Sequence, residues 1–258
     1  MAYSNVMVLG LCMSITSLAT AAPTEDSPEK PVTLRIISSM ATRPLLVELI
    51  KQFEQQSEYQ VALESVGGVD AARRIEAGEA FDVVILSASA IDKLIDSGKV
   101  HPHSRVDLVK SGVAIAVKEG AQVIDIGSEE AVKQAVLAAK TIGYSTGPSG
   151  VYLAELFGRW GIAEQIKENM VKAPPGVPVG ALVANGEVEL GFQQLSELLH
   201  LKGIVILGPL PADIQIMTRF SAGLPLESNQ PEAAQVLLNF LTSPAAIEAK
   251  INNGMEPI

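Results

Sequence analysis

The residues best suited to chemistry fall in one run, Thr141-Ile142-Gly143-Tyr144-Ser145-Thr146-Gly147-Pro148-Ser149-Gly150. A short apolar strand ends at Tyr144 in hydroxyls and glycines, and a helical pattern follows from Val151 to Trp160. The first turn of a helix carries unpaired N–H groups and the positive end of the dipole, and small residues let a ligand come close. Such a loop is fitted to an anion, although an ordinary strand-to-helix turn shows the same residue types. Recurrence separates the two readings. Ser38-Ser39-Met40-Ala41-Thr42-Arg43, Gly67-Gly68-Val69-Asp70 and Pro178-Val179-Gly180 also stand at helix openings.

The elements that must position these loops alternate along the chain. Val32–Ile37 alternates apolar and polar residues, and Leu45–Glu54 then places Leu45, Leu46, Leu49, Ile50 and Phe53 on one helical face. Thr42 or Arg43 falls at that helix's cap, with Pro44 in its first turn. Tyr59–Ser65 reads as a strand, Ala71–Ala77 as a helix stopped by Gly78, Phe81–Leu86 as a buried strand and Ala90–Ser97 as a helix closed by Gly98. Further strands are expected at Val113–Val117, Leu190–Gln194 and Ile204–Leu207, and further helices at Glu129–Ala138, Ala181–Asn185 and Gln235–Leu241. Such alternation predicts an α/β fold with parallel strands, whose ligands bind off the carboxyl ends of the strands.

Composition narrows the function classes. With 29 acidic and 19 basic side chains the net charge is −10, and no basic cluster breaks the pattern, so nucleic acid is not an expected partner. Cys12 is the only cysteine, and the apolar stretch Met1–Ala22, ending in Ala19-Thr20-Ala21, reads as a signal peptide cleaved near Ala21 or Ala22. Its n-region has no Lys or Arg. Residues 23–30 read as a disordered leader. The mature chain is then an exported periplasmic protein with no disulfide, no thiolate nucleophile and no Cys-ligated metal. His101, His103 and His200 are a poor stock for a zinc site, and His101-Pro102-His103 reads as an exposed turn. No metal or cofactor is expected. Walker and HExxH motifs are absent from the sequence.

Longer motifs carry a resemblance. Gly67-Gly68-Val69-Asp70-Ala71-Ala72-Arg73-Arg74-Ile75-Glu76-Ala77-Gly78 and Phe81-Asp82-Val83-Val84-Ile85 resemble a segment of the molybdate-binding branch of the type II periplasmic solute-binding proteins. Pro148-Ser149-Gly150-Val151-Tyr152 is similar to a helix opening of that branch, and Gly180-Ala181-Leu182 with Gly186, Glu189 and Gly191 fits its last segment. The resemblance implies two lobes, each a mostly parallel sheet flanked by helices, with the ligand cleft between them. Lobe one would be 31–110 plus 211–258 and lobe two 111–210, closing by a hinge. A monomer is the default for such a fold.

In that branch, serine hydroxyls of the first two loops, backbone N–H groups of the third and fourth, and a tyrosine hydroxyl hold molybdate. Carried over by position, the ligand-binding residues would be Ser38, Ser39, Thr42, Arg43, Gly68, Val69, Ser145, Ser149, Gly150, Val179, Gln193 and Gln194. The pattern departs in three places. Gly67 and Gly68 stand where paired serines belong, Gln193 or Gln194 where the tyrosine belongs, and Arg43 adds a cation at the mouth of the first helix. Arg43 can grip a carboxylate in bidentate fashion, which a compact oxyanion needs less. Adjacent strand residues point opposite ways, so only one of Gln193 and Gln194 should face the ligand. Arg73 matches an arginine that molybdate binders also carry and reads as structural, and Arg219 reads as surface.

Two functions follow. In one, the chain captures an organic acid or a molybdate-like oxyanion for an ABC permease. In the other, it is an enzyme, because the same branch includes a periplasmic isomerase that interconverts trans- and cis-aconitate. That chemistry is an allylic proton shift and needs an ionisable group in the cleft. Asp70, Tyr144 and Glu64 are the candidates. Asp70 also reads as a helix cap and Tyr144 as a strand-end packing residue.

Overall fold

The computed structural model describes residues 1–3 and 31–258. Apart from Met1, Ala2 and Tyr3, the expected signal peptide (1–22) and leader (23–30) lie outside the described residues.

From Pro31 the chain alternates strand and helix. β1 (Thr33–Ser39) runs through a single 3-10 turn, Met40–Thr42, into α1 (Arg43–Gln55). β2 (Gln60–Val66), α2 (Gly68–Glu76), β3 (Val83–Ser87) and α3 (Ala88–Asp96) follow. The long β4 (Val106–Lys118) leads to α4 (Glu129–Ala138), β5 (Ile142–Tyr144), α5 (Pro148–Arg159) and α6 (Ala163–Ile166). Then come β6 (Met170–Lys172), α7 (Val179–Asn185), β7 (Leu190–Gln194) and α8 (Leu195–Leu198). The chain ends with β8 (Ile204–Pro209), β9 (Met217–Gly223), α9 (Pro231–Thr242), α10 (Ile247–Asn252) and β10 (Glu256–Pro257).

The strands join in the order β2-β1-β3-β9-β4-β7-β5-β6, with β8 and β10 also paired to β4. The βαβ portions, β2-β1-β3 and β7-β5-β6, are parallel as expected. The strands linking them, β4 and β9, run antiparallel to their neighbours. β4 pairs with β9 over its first half and with β7 and β8 over its second, so one strand serves two sheets. It is much longer than the Val113–Val117 expected, and β9 was not anticipated at all.

Helices cover both faces of the first sheet. Leu34 and Ile36 pack with Leu45, Leu49 and Phe53 of α1 and Leu237 and Leu241 of α9. Their neighbour Ile37 packs the other way, with Ala71 and Ile75 of α2 and Ile91 and Leu94 of α3. Two buried faces explain why β3 reads as a nearly continuous apolar run, whereas β1 keeps exposed Thr33 and Arg35 at its start. A separate core joins Ile115, Ile142, Leu153, Leu156, Phe157 and Phe192 around the second sheet. The fold is thus two-lobed α/β. Among the described residues no helix is long and apolar enough to cross a membrane.

Candidate functional site

A cavity of about 700 Å³ opens where the carboxyl ends of β1, β3, β5 and β7 converge. That size suits a small organic ligand. The openings of α2, α3 and α5 face it through Gly68 and Val69, Ser87 and Ser89, and Ser145 to Ser149.

The first loop contributes less than expected. Ser39, Met40 and Ala41 line the cavity, whereas Ser38, Thr42 and Arg43 do not. Ser38 is fully buried with its hydroxyl 2.8 Å from Ser65 Oγ, and Thr42 Oγ1 donates to the Ser39 carbonyl at 3.1 Å. The 3-10 turn between β1 and α1 moves Arg43 off the cavity to an exposed position, which removes it as the mouth cation. Ser39 is the exception. It is 7% exposed, and its Oγ has no hydrogen-bond partner among the described residues. A buried hydroxyl without a partner is costly, and a ligand atom would satisfy it.

At the second loop, Gly68, Val69 and Asp70 line the wall, and Asp70 is ion-paired to Arg73. Arg73, expected to be structural, lines the cavity with its side chain 69% exposed. Its neighbour Arg74 points away, holds Glu64 and Glu79, and lies 5.1 Å from the centre of the Phe81 ring. Adjacent helix positions differ by about 100° in direction, so one arginine serves the cavity and the other the outside of the lobe. Lys93 of α3 is a further cation on the wall, missed by the sequence reading. Arg219 is half-exposed on β9 and paired with Asp107.

The third loop lines the cavity from Ser145 to Ser149. Ser145 Oγ lies 3.2 Å from Ser149 Oγ and accepts the Gly147 N–H at 3.3 Å. Tyr144 and Gly150 lie outside the lining. Tyr144 packs against the second core. Gly150 answers a steric demand, since a Cβ there would sit 1.7 Å from the Ser145 carbonyl oxygen. Val179, at the fourth loop, is fully buried in an apolar cluster with Val183 and Val188. The next N–H, that of Gly180, donates to Gln193 Oε1 at 3.2 Å, while Pro174 to Pro178 just ahead of it line the cavity.

Both Gln193 and Gln194 line the cavity, against the expectation that only one would. The strand stops at Gln194 and the cavity wraps around its end. Gln194 Nε2 donates to Thr218 Oγ1 at 2.8 Å, while its Oε1 is buried without a partner among the described residues. Thr218 can donate as well as accept, so either orientation of the amide leaves one of its atoms for a ligand. Gln193 Nε2 donates to Glu197 Oε1 at 2.8 Å.

Glu197 was missed by sequence reasoning. It lies on α8, four residues after Gln193, and keeps part of its surface toward the cavity while protein encloses the rest. Burial pushes its pKa up to about 7, only partly offset by the Gln193 hydrogen bond. The spacing Gln193-x-x-x-Glu197 just past a strand was the available clue, though spacing alone says nothing of burial. Of the proton-carrier candidates, Asp70 is at the cavity, whereas Glu64 and Tyr144 are not among its lining residues. Hydrogen bonding to Arg74 lowers the pKa of Glu64. Among the described residues no cluster of three or more His, Cys, Asp or Glu side chains is placed to hold a metal ion.

The sequence model of the bacterial extracellular solute-binding protein family matches residues 34–256. The chain is 39% identical over 256 residues to an aconitate isomerase from a Pseudomonas species, spanning 96% of this chain and 94% of that one. Among solved structures, the periplasmic molybdate-binding protein of Azotobacter vinelandii matches with a TM-score of 0.73 at 19% identity, over 86% of this chain and 98% of that one. The sulfate-binding protein of Mycobacterium tuberculosis matches with a TM-score of 0.72 at 17% identity, over 88% and 87%. At such identities these two structures speak to the fold alone.

Proposed function

The chain belongs to the bacterial extracellular solute-binding protein family, and on that premise we propose that it is a periplasmic aconitate isomerase. The observation that carries this reading is the near full-length likeness to the Pseudomonas enzyme. The cavity is consistent with it. A tricarboxylate needs several separated donors, and Arg73, Lys93, the Ser39 hydroxyl and the openings of α2, α3 and α5 supply them from different walls. Gly68 adds room, because a Cβ there would meet nothing closer than 3.8 Å.

In this reading the substrate is held between lobes made of 31–110 plus 211–258 and 111–210, after export directed by the N-terminal segment. A proton leaves the methylene carbon beside one carboxylate and its electron pair spreads over the allyl system and the attached carboxylates. The proton then returns at the former vinylic carbon, so the double bond moves by one position and no other reactant is consumed. N–H groups at the helix openings stabilise the negative charge that develops on the carboxylates.

A second reading, capture of an organic anion or oxyanion for an ABC permease, is favoured by the fold likeness to the molybdate- and sulfate-binding proteins. Incubating the purified protein with trans-aconitate and following cis-aconitate by chromatography separates the two. Turnover is expected. Tight binding of citrate or the aconitates without turnover would leave transport alone, and thermal stabilisation by molybdate but by no carboxylate would sink both carboxylate readings.

A further inference from the structure

We infer that Glu197 is the group that takes the proton from bound aconitate and returns it, with Gln193 holding it in position; this rests on the isomerase reading above. Three placements carry the assignment. Glu197 lines the cavity on a helix that packs on the 3-10 turn following Ser39, so it belongs to the same corner as the partnerless Ser39 hydroxyl and Gln194 amide oxygen. Gln193 is fastened at its other end by the Gly180 N–H and fixes one carboxylate oxygen of Glu197. The other oxygen has no hydrogen-bond partner among the described residues and is left for the substrate.

The competing groups are otherwise engaged. Asp70 is paired with Arg73, and Glu64 with Arg74. Glu76 and Glu155 line the cavity but are exposed to solvent. Removing a proton from carbon calls for a stronger base than an ordinary carboxylate. Desolvation makes Glu197 one, with a pKa of about 7.

Nearby charges do not account for that strength. The elements packed most closely against α8 are β4, β7 and the 3-10 turn, with Gly180 of α7 and Gly254 against its leucines. Of these only β4 carries titratable groups, Asp107, Lys110 and Lys118. The other charged groups on the cavity wall are Asp70, Arg73, Glu76, Lys93 and Glu155. Burial raises Glu197, and the Gln193 amide alone opposes it.

In the step itself, the methylene C–H bond breaks and the proton passes to Glu197 while its electron pair enters the allyl system. The O–H bond then breaks as a C–H bond forms at the other terminus, and the carboxylate is restored. Because the base must start ionised, kcat/KM should rise with pH through about 7.

The test runs in two stages on the full chain. If the wild-type protein does not convert trans-aconitate, the isomerase reading falls and this assignment falls with it. If it does, Glu197→Gln should lower kcat by about a hundredfold or more. The same variant should bind tricarballylate, a saturated tricarboxylate with no allylic proton, within a few-fold of wild type. Retained turnover, or a loss of tricarballylate binding as large as the loss of turnover, would overturn the assignment while leaving the isomerase reading intact. Gln193→Leu is the second variant. Removing the amide donor should shift the rising limb of kcat/KM to higher pH, and an unmoved limb would overturn the positioning role.

Discussion

Two corners of this molecule hold glutamates in opposite conditions. On the outer side of the first lobe, Glu64 and Glu79 share Arg74, which stacks on Phe81 together with Arg35. In the cavity, Glu197 has one neutral amide donor and, among the described residues, no ion-paired cation. The first corner pulls the glutamate pKa values down, because the ionised form is what the guanidinium binds. The second pushes Glu197 up to about 7, because burial disfavours its charge. The same side chain is structural where its charge is fully answered and reactive where it is not.

The sharpest way to break the contrast is to neutralise a glutamate in each corner. Glu197→Gln should cost roughly 10²- to 10⁴-fold in trans-aconitate turnover. Glu64→Gln should leave turnover within about twofold, since the group lies outside the cavity lining. Equal losses would erase the distinction.

Stability should reverse the ranking. The raised pKa of Glu197 means that the unfolded state ionises at about 4.5 while the folded state holds its proton to about 7. Stability is therefore lost as pH rises between those values, by about 3 kcal/mol at most given its partial access to the cavity. Glu197→Gln should accordingly melt higher than wild type at pH 8, with the gap closing near pH 4. A lower melting temperature at pH 8 would contradict a desolvated carboxylate.

Two adjacent serines extend the comparison. Ser39→Ala removes a hydroxyl with no partner among the described residues, so affinity for citrate or aconitate should fall by about tenfold to a hundredfold, as for a hydrogen bond to a charged ligand, without loss of stability. Ser38→Ala removes the bond to Ser65 and should lower stability rather than affinity. Calorimetric titration and thermal melts distinguish the two.

The smallest effect is expected at Arg74. Arg74→Ala should lower the melting temperature modestly at neutral pH, as for a partly exposed ion pair, and leave aconitate binding unchanged. Because Glu64 has a lowered pKa, the Arg74 contribution is present above the ordinary carboxylate value and is lost as pH falls through the lowered one. The melting difference should vanish in acid.

Much of this architecture was legible before any coordinates. Amphipathic spacing placed α1 and its buried face of Leu45, Leu46, Leu49, Ile50 and Phe53, and Gly78 marked the end of α2 with its φ of +81°. The loops at Gly68 and Ser145 were found from small residues ahead of helical patterns, and both reach the cavity. β9 was not found, because its partners β3 and β4 lie more than a hundred residues away in the chain and local alternation says nothing of them. Arg43 was misplaced by a single 3-10 turn, which rotates and lifts every residue after it.

Local pattern sufficed for the elements, for the helix openings and for the family they resemble, because propensity, capping and periodicity act over a few residues. Electrostatic character did not follow from pattern. Arg73 and Arg74 are neighbours of one type, as are Ser38 and Ser39, yet each pair is split between cavity and scaffold by which groups from distant segments stand opposite. Glu197 is an unremarked residue in a short helix until β4, β7 and the turn after Ser39 close around it. Desolvation and hydrogen-bond satisfaction depend on everything within a few ångströms, and only the folded chain brings those atoms together.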